Sequence, residues 1–279
     1  MKRKLKAALG YLHRHGLRSF CATVFDQIKV RARIWARGRN RTVALDGCVF
    51  PLGELADNLM KLALLDGSYE APERAAVQKY LKPEWGVVEF GACIGVVSCI
   101  TNKLLANPRA HVVVEINPIA VRHLEANRER NGCSFRILSR ALAYDAAEVS
   151  FRPHEELWAN FLTQSGTRPP VTLRATQLGA ILREEGFERF ALICDIEGME
   201  FEMVMREPET VGRAELIIME LHPQMVGEEK VARMMAEFKR LGFGLEERQA
   251  DVVVLSKRAN QRVGESASQR ASELAGQRS

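Results

Sequence analysis

An α/β chain built on a mostly parallel, doubly wound sheet is what the sequence predicts, and three segments predict it. VVEFGACIGVVS, Val87 to Ser98, reads as a buried strand that breaks into a glycine turn and then opens a helix. VVVEINP, Val112 to Pro118, is a second apolar strand with Glu115 directly behind it. ALICDIEGME, Ala191 to Glu200, is a third, ending in a dense acidic cluster. Apolar runs without polar alternation are what parallel strands covered on both faces require.

The elements follow in order. Residues 1–41 hold 12 Lys or Arg against the single acid Asp26, a net charge of +11 in a chain of net +5, so the remainder is net −6. Apolar positions recur helically at Leu5, Leu9 and Leu12, then at Leu17, Phe20, Val24, Ile28 and Trp35. This predicts a basic helical leader. Lys6 and Gly10 interrupt its first apolar run, which argues against a signal peptide, and it is too polar to span a bilayer. Such a helix either packs on the domain or associates weakly with an anionic membrane face, where each Lys or Arg contributes ~1 kcal/mol.

Residues 42–84 read as an N-terminal cap segment. Thr42 to Leu52 suggests a hairpin turning at Asp46-Gly47, and helices are expected over about Leu55 to Leu65 and Ala71 to Leu81. The main domain is expected over 85–258. Its long loop, Pro153 to Pro170, carries His154, Trp158, Asn160 and Gln164, and loops of that length are usually functional or mobile. A helix over Glu228 to Leu241 precedes strands at Phe243 to Glu247 and Asp251 to Ser256. Residues 259–279 turn to Ser, Gln, Arg, Glu and Gly, a composition expected to be disordered.

Ligand chemistry follows from the first two segments. Gly91 and Gly95 let the backbone turn tightly and approach a ligand. The helix opening at Gly95 offers unpaired N–H groups to a carboxylate or phosphate. Glu115, 24 positions after Gly91, suits a carboxylate that accepts both hydroxyls of a ribose. The middle position of the glycine turn is Cys93 rather than glycine, which disfavours a pyrophosphate, and no G-x-x-x-x-G-K-[ST] occurs. An adenosine ligand without phosphate, S-adenosylmethionine, fits better than NAD.

Together VVEFGACIGVVS, VVVEINP, LEANRERNG (Leu124 to Gly132) and LICDIEGME resemble the FkbM-type family of S-adenosylmethionine-dependent methyltransferases. GSYEAPE (Gly67 to Glu73) and VTLRATQL (Val171 to Leu178) resemble that family's flanking segments, and the likeness covers roughly Gly67 to Pro223. Two positions depart from the family, which usually has Asn at Cys93 and often Lys at Ile193. The resemblance implies a Rossmann-like class I methyltransferase fold, with a mostly parallel seven-stranded sheet, helices on both faces and an N-terminal helical extension. It also implies methyl transfer to oxygen, often of a sugar or complex natural product.

Residues and resemblance together place S-adenosylmethionine against Glu89, Gly91, Ala92, Cys93, Gly95, Glu115, Asn117, Ala141 and Asp195. Asp195, Glu197 and His222 are the expected catalytic groups, orienting and deprotonating a hydroxyl, an effect typically worth ~10²–10⁴-fold. Asp195 instead holding the cofactor's ammonium leaves Glu197 nearest the acceptor. Glu200 and Glu202 also fit water-facing places at a helix start. Glu70, Trp158 and Glu220 are expected to shape the acceptor pocket. Asp195, Glu197 and His222 are also conceivable ligands of a divalent metal, but no metal site is assigned.

Six cysteines at 21, 48, 93, 99, 133 and 194, with no C-x-x-C pair, suggest reduced thiols and a cytoplasmic setting, peripheral to the membrane if the leader binds it. A small-molecule or glycan acceptor is the expected partner. The basic leader could contact RNA non-specifically, yet no stacking platform accompanies it, so nucleic acid is not expected. A catalytically silent cofactor-binding protein is the other alternative.

Overall fold

The computed structural model describes residues 32, 36, 42–53, 55, 57–153 and 169–257. Expectations for the basic leader, the tail and Trp158 lie outside the described residues. The chain divides into two compact units, which among the described residues comprise 32, 36 and 42–45 with 49–69, and 46–48 with 70–257.

Strand β1 (Thr42–Leu45) pairs with β2 (Cys48–Pro51) as the Asp46-Gly47 turn predicts. Both turn residues have positive φ, 49° and 82°, the pair of conformations a two-residue hairpin turn needs. Helix α1 (Asn58–Asp66) starts three residues later than expected. Asp57 sets that start, its Oδ1 accepting from the N–H groups of Leu59 and Met60 at 2.7 and 3.0 Å.

The second unit is the expected doubly wound layer structure. Its main sheet takes in β3 (Gly86–Phe90), β4 (His111–Val114), β5 (Arg136–Leu138), β9 (Phe190–Cys194), β10 (Leu216–Glu220), β11 (Phe243–Gln249) and β12 (Val252–Lys257). The order is β11-β12-β10-β9-β3-β4-β5, parallel except for β12, which runs antiparallel to both β10 and β11. This is the Rossmann-like methyltransferase architecture that the resemblance implies, down to the closing antiparallel hairpin at DVVVLSK. A smaller sheet, β6 (Ala141–Leu142), β8 (Val171–Thr176) and β7 (Glu148–Phe151) in that order, follows β5.

Alternation along each strand assigns the helices to faces. Val88, Phe90, Leu192, Cys194, Ile217, Met219, Val253 and Leu255 share one core with the apolar residues of three helices. These are α5 (Leu178–Glu185), α6 (Glu200–Arg206) and α9 (Glu228–Arg240). The opposite face takes α2 (Ala71–Tyr80) and α3 (Val96–Leu104), and there Glu89 meets Ser98 of α3. Helix α4 (Pro118–Arg130) follows β4, capped by Asn117 Oδ1 accepting from the Ile119 N–H at 2.9 Å. Two four-residue helices, α7 (Pro208–Val211) and α8 (Pro223–Val226), lie where no helix was predicted, each opened by a proline in its first turn.

Strand order reverses between β3 and β9: β4 and β5 continue on one side, β10 and β12 on the other. In open α/β sheets ligands bind outside the carboxyl ends of the strands at such a switch point. Gly91 and Asp195 flank it.

Candidate functional site

The glycine turn after β3 is shaped by its neighbours. Gly91 has φ 82°, and a Cβ there would stand 1.6 Å from the carbonyl oxygen of Asp195. Gly95 has φ 81°, and a Cβ there would lie 2.3 Å from Leu124 Cδ1. The sequence argument had both glycines making room for a ligand; the groups they make room for here belong to the protein. Between them Cys93 takes φ 47°, uncommon for a residue with a side chain.

Glu115 holds this turn. Its Oε2 accepts from the Ala92 and Cys93 N–H groups at 3.1 and 2.8 Å, and its Oε1 from the Asn117 N–H at 2.7 Å. The side chain is buried, which raises its pKa against the opposing pull of those N–H donors. Helix α3 begins at Gly95 with no side-chain cap, so no side chain takes its first N–H groups.

Glu89 lines the same cleft with its carboxylate engaged. Oε1 accepts from Ser98 Oγ at 2.7 Å, and Oε2 lies 3.0 Å from His111 Nε2. Ala141 is buried in β6 and pairs with Ala175 of β8, and no described contact joins it to the cleft. Asn117 is fully buried, its Nδ2 without a hydrogen-bond partner.

Across the switch point the acidic segment folds around one imidazole. His222, 5% exposed, places Nδ1 3.1 Å from Glu200 Oε1 and Nε2 3.5 Å from both Asp195 Oδ1 and Glu197 Oε2. Sequence order alone had put these groups near one another, and the structure brings them together. Of the two readings left open for Glu200, the water-facing one does not hold. Far from facing water, it is 1% exposed, and its two oxygens accept from the Ile196 and Gly198 N–H groups at 2.7 and 2.8 Å. The signal for this was present: an acid just after a glycine turn at a helix start can reach back to the loop's N–H groups, as in a capping box. Glu202 fits the other reading, its carboxylate half-exposed and 3.6 Å from Arg206. Glu197 itself sits at φ 55°, followed by Gly198 at φ 101°.

Electrostatically the cluster has more carboxylates than cations. Burial opposes charge on His222, but Glu200, Asp195 and Glu197 outweigh it and push its pKa up to about 9. Asp195 is held well above the ordinary carboxylate range by burial and then by the charge of Glu220, with His222 opposing. Burial likewise raises Glu197 and Glu220. His222 therefore keeps its proton at neutral pH.

Glu70, Glu73, Glu89, Gly91, Val97, Ile193 and Asp195 line a narrow cleft at this edge. Glu70 precedes α2 at φ 47°, and Glu73 sits in its first turn, 7% exposed. Burial pushes the Glu73 carboxyl up to about 7. The walls of the cleft are thus acidic on the α2 side as well as at Asp195.

No protein-family model and no curated protein matches the chain. Among solved structures it is similar to a ribosomal protein L11 methylase from Lactobacillus delbrueckii subsp. bulgaricus, at 10% identity and TM-score 0.41, over 68% of this chain and 80% of that one. It is similar to a precorrin-6y C5,15-methyltransferase from Geobacter metallireducens, at 13% identity and TM-score 0.42, over 68% and 87%. The third is a magnesium protoporphyrin IX methyltransferase from Synechocystis with bound SAM, at 8% identity and TM-score 0.42, over 71% and 82%.

Proposed function

We propose that the chain is an S-adenosylmethionine-dependent O-methyltransferase of FkbM type, acting on a hydroxyl of a carbohydrate, glycolipid or other complex metabolite. The observation that carries this reading is the switch point itself. There the Glu115-held glycine turn of β3 faces the Asp195–Glu197–His222 cluster of β9 and β10 across a single strand boundary.

The residues present fit that cofactor. Glu115 stands behind the turn where a ribose would lie, and the uncapped start of α3 suits a carboxylate. The acidic cleft suits an ammonium and a sulfonium. When bound, S-adenosylmethionine supplies an electrophilic methyl group on sulfur. Asp195 and Glu197 orient the acceptor hydroxyl, and one of them takes its proton as the oxygen attacks. His222, protonated and packed against three carboxylates, holds both acids in place. Glu220, beyond Asp195, shapes the acceptor side together with Glu70.

Calorimetric titration with S-adenosylmethionine and S-adenosylhomocysteine, with NADH as the comparison, tests the reading. Micromolar binding of the first two, weakened in Glu115→Gln while the variant stays folded, supports it. Binding of NADH alone, or of none of the three, overturns it.

A further inference from the structure

We propose that Cys133 and Cys99 form a peroxide-sensitive thiol pair, in which Cys133 is oxidised first and Cys99 then closes a disulfide onto it. The fold lays one thiol over the other. Gly132, at φ 59°, turns the chain behind α4, and the next segment is pinned to α3 where the Ser134 N–H donates to Asn102 Oδ1 at 2.9 Å. Asn102 and Cys99 lie three residues apart and share a face of α3. Cys133 therefore comes to rest on Cys99. Its Sγ lies 3.7 Å from the Cys99 carbonyl oxygen and within hydrogen-bond reach of the Cys99 thiol.

The two thiols differ in what surrounds them. Cys133 is half-buried between exposed Gly132 and Ser134, whereas Cys99 is fully buried within α3. Two cations stand on the Cys133 side. Lys103 Nζ lies 3.9 Å from the place a Cβ on Gly132 would take, and Arg128 Nη1 donates to the Phe135 carbonyl at 3.2 Å. Contact with Cys99, and then the charges of Lys103 and Arg128, pull the Cys133 pKa below the ordinary thiol value against burial. The same contact, and then burial, push Cys99 up. An accessible thiolate beside cations is the nucleophile, and a buried thiol in contact with it is placed to resolve the product. The Cys133 thiolate attacks one oxygen of hydrogen peroxide and the O–O bond breaks, giving a sulfenic acid and hydroxide. The Cys99 sulfur then attacks the sulfenic sulfur; the S–S bond forms, the S–O bond breaks, and the oxygen leaves as water with the Cys99 proton. Peroxide is reduced by two electrons as two thiols become one disulfide. Cys48 is a further buried thiol near Cys133, its pKa pushed up to about 11 by burial, and the hydrogen-bond contact selects Cys99 over it. The pair stands on these residues alone and does not rest on the function proposed above.

Hydrogen peroxide treatment of the reduced full chain, followed by alkylation of the remaining thiols and peptide mass mapping, tests it. The expected product is a linked Cys99–Cys133 peptide, two hydrogens lighter than its parts, which dithiothreitol returns to two alkylatable thiols. In Cys99→Ser the oxidation should stop at Cys133 as a sulfenic acid that dimedone traps. In Cys133→Ser, Cys99 should stay reduced under the same treatment. Thermal melts confirm that the chain is folded when it reacts, and the linked peptide of the parent chain is read whether or not either variant folds. Cys99 and Cys133 both remaining alkylatable after millimolar peroxide overturns the pair. So does a link from Cys133 to Cys48, or oxidation confined to Cys93.

Discussion

Gly91 and Asp195 are fitted to each other: the Asp195 carbonyl occupies the space that any side chain at position 91 would need. The Asp195 N–H donates to the Phe90 carbonyl at 2.9 Å, so β3 and β9 are still paired where both strands end. The glycine turn and the acidic segment are therefore one rigid junction.

Gly91→Ala should disrupt that junction. The substitution combines a left-handed backbone with a collision against main chain, which cannot rotate away. A loss of roughly 3–5 kcal/mol is expected in urea denaturation. Gly95→Ala meets only the end of Leu124 and should lose less. Equal losses would show that the Asp195 contact is not the limiting one.

Most of the fold was legible in the sequence because unbroken apolar strands, glycine turns and the DG hairpin each have one physical solution. Boundaries were less so: α1 begins where Asp57 caps it, and not where apolar periodicity starts. The site was legible as a list of acids and one histidine but not as an arrangement. Helix-start charge does not separate Glu200, which turns inward, from Glu202, which turns out, since both lie where negative charge is favourable; only the place of Glu200 just behind the glycine turn distinguishes it. Nor could spacing reveal that Glu115 would bind its own glycine turn.

A carboxylate reaching across the fold was also invisible. Glu207 caps α5, accepting from the Leu178 and Gly179 N–H groups at 2.9 and 2.8 Å, and takes the Tyr144 hydroxyl at 2.8 Å. Gln177, the residue in the capping position, makes no such bond. Glu207→Ala should lose about 2–3 kcal/mol, read as a lowered Tm. Tyr144→Phe should lose about 1 kcal/mol, because Glu207 keeps its two backbone donors.

Glu73 predicts a pH dependence of stability. Its folded pKa, about 7, lies above the ordinary value of 4.5 because of burial. As pH rises the unfolded chain releases this proton first, so the contribution is fully present below about 4.5 and is lost as pH approaches 7. The size is about 3 kcal/mol as an upper figure. Glu73→Gln removes the effect, so it should gain stability relative to the parent between those pH values and hold the gain above them. Urea denaturation at both ends of the window checks this; a constant difference between the proteins would refute it.

Glu89 lines the cleft, where the sequence reading set it against the cofactor, yet both its oxygens are bonded within the protein. Asn102 Nδ2 donates to the Pro108 carbonyl at 2.7 Å, and its Oδ1 accepts from the Ser134 N–H at 2.9 Å, which fixes the amide's orientation. His111 Nδ1, 3.4 Å from that same Nδ2, must then be an acceptor, so Nε2 carries the hydrogen and donates to Glu89. With Ser98 on its other oxygen, Glu89 is engaged on both sides at 1% exposure. His111→Leu leaves that carboxylate without its donor and should lose about 3–5 kcal/mol. Replacing both, as Glu89→Met with His111→Leu, should lose distinctly less, since no charge is then stranded. S-adenosylhomocysteine affinity separates the two roles. If the bonds describe Glu89 fully, Glu89→Gln lowers Tm while the Kd of the folded protein stays within about twofold, a difference of roughly 0.4 kcal/mol. A tenfold weaker Kd at unchanged Tm would make Glu89 a ligand instead.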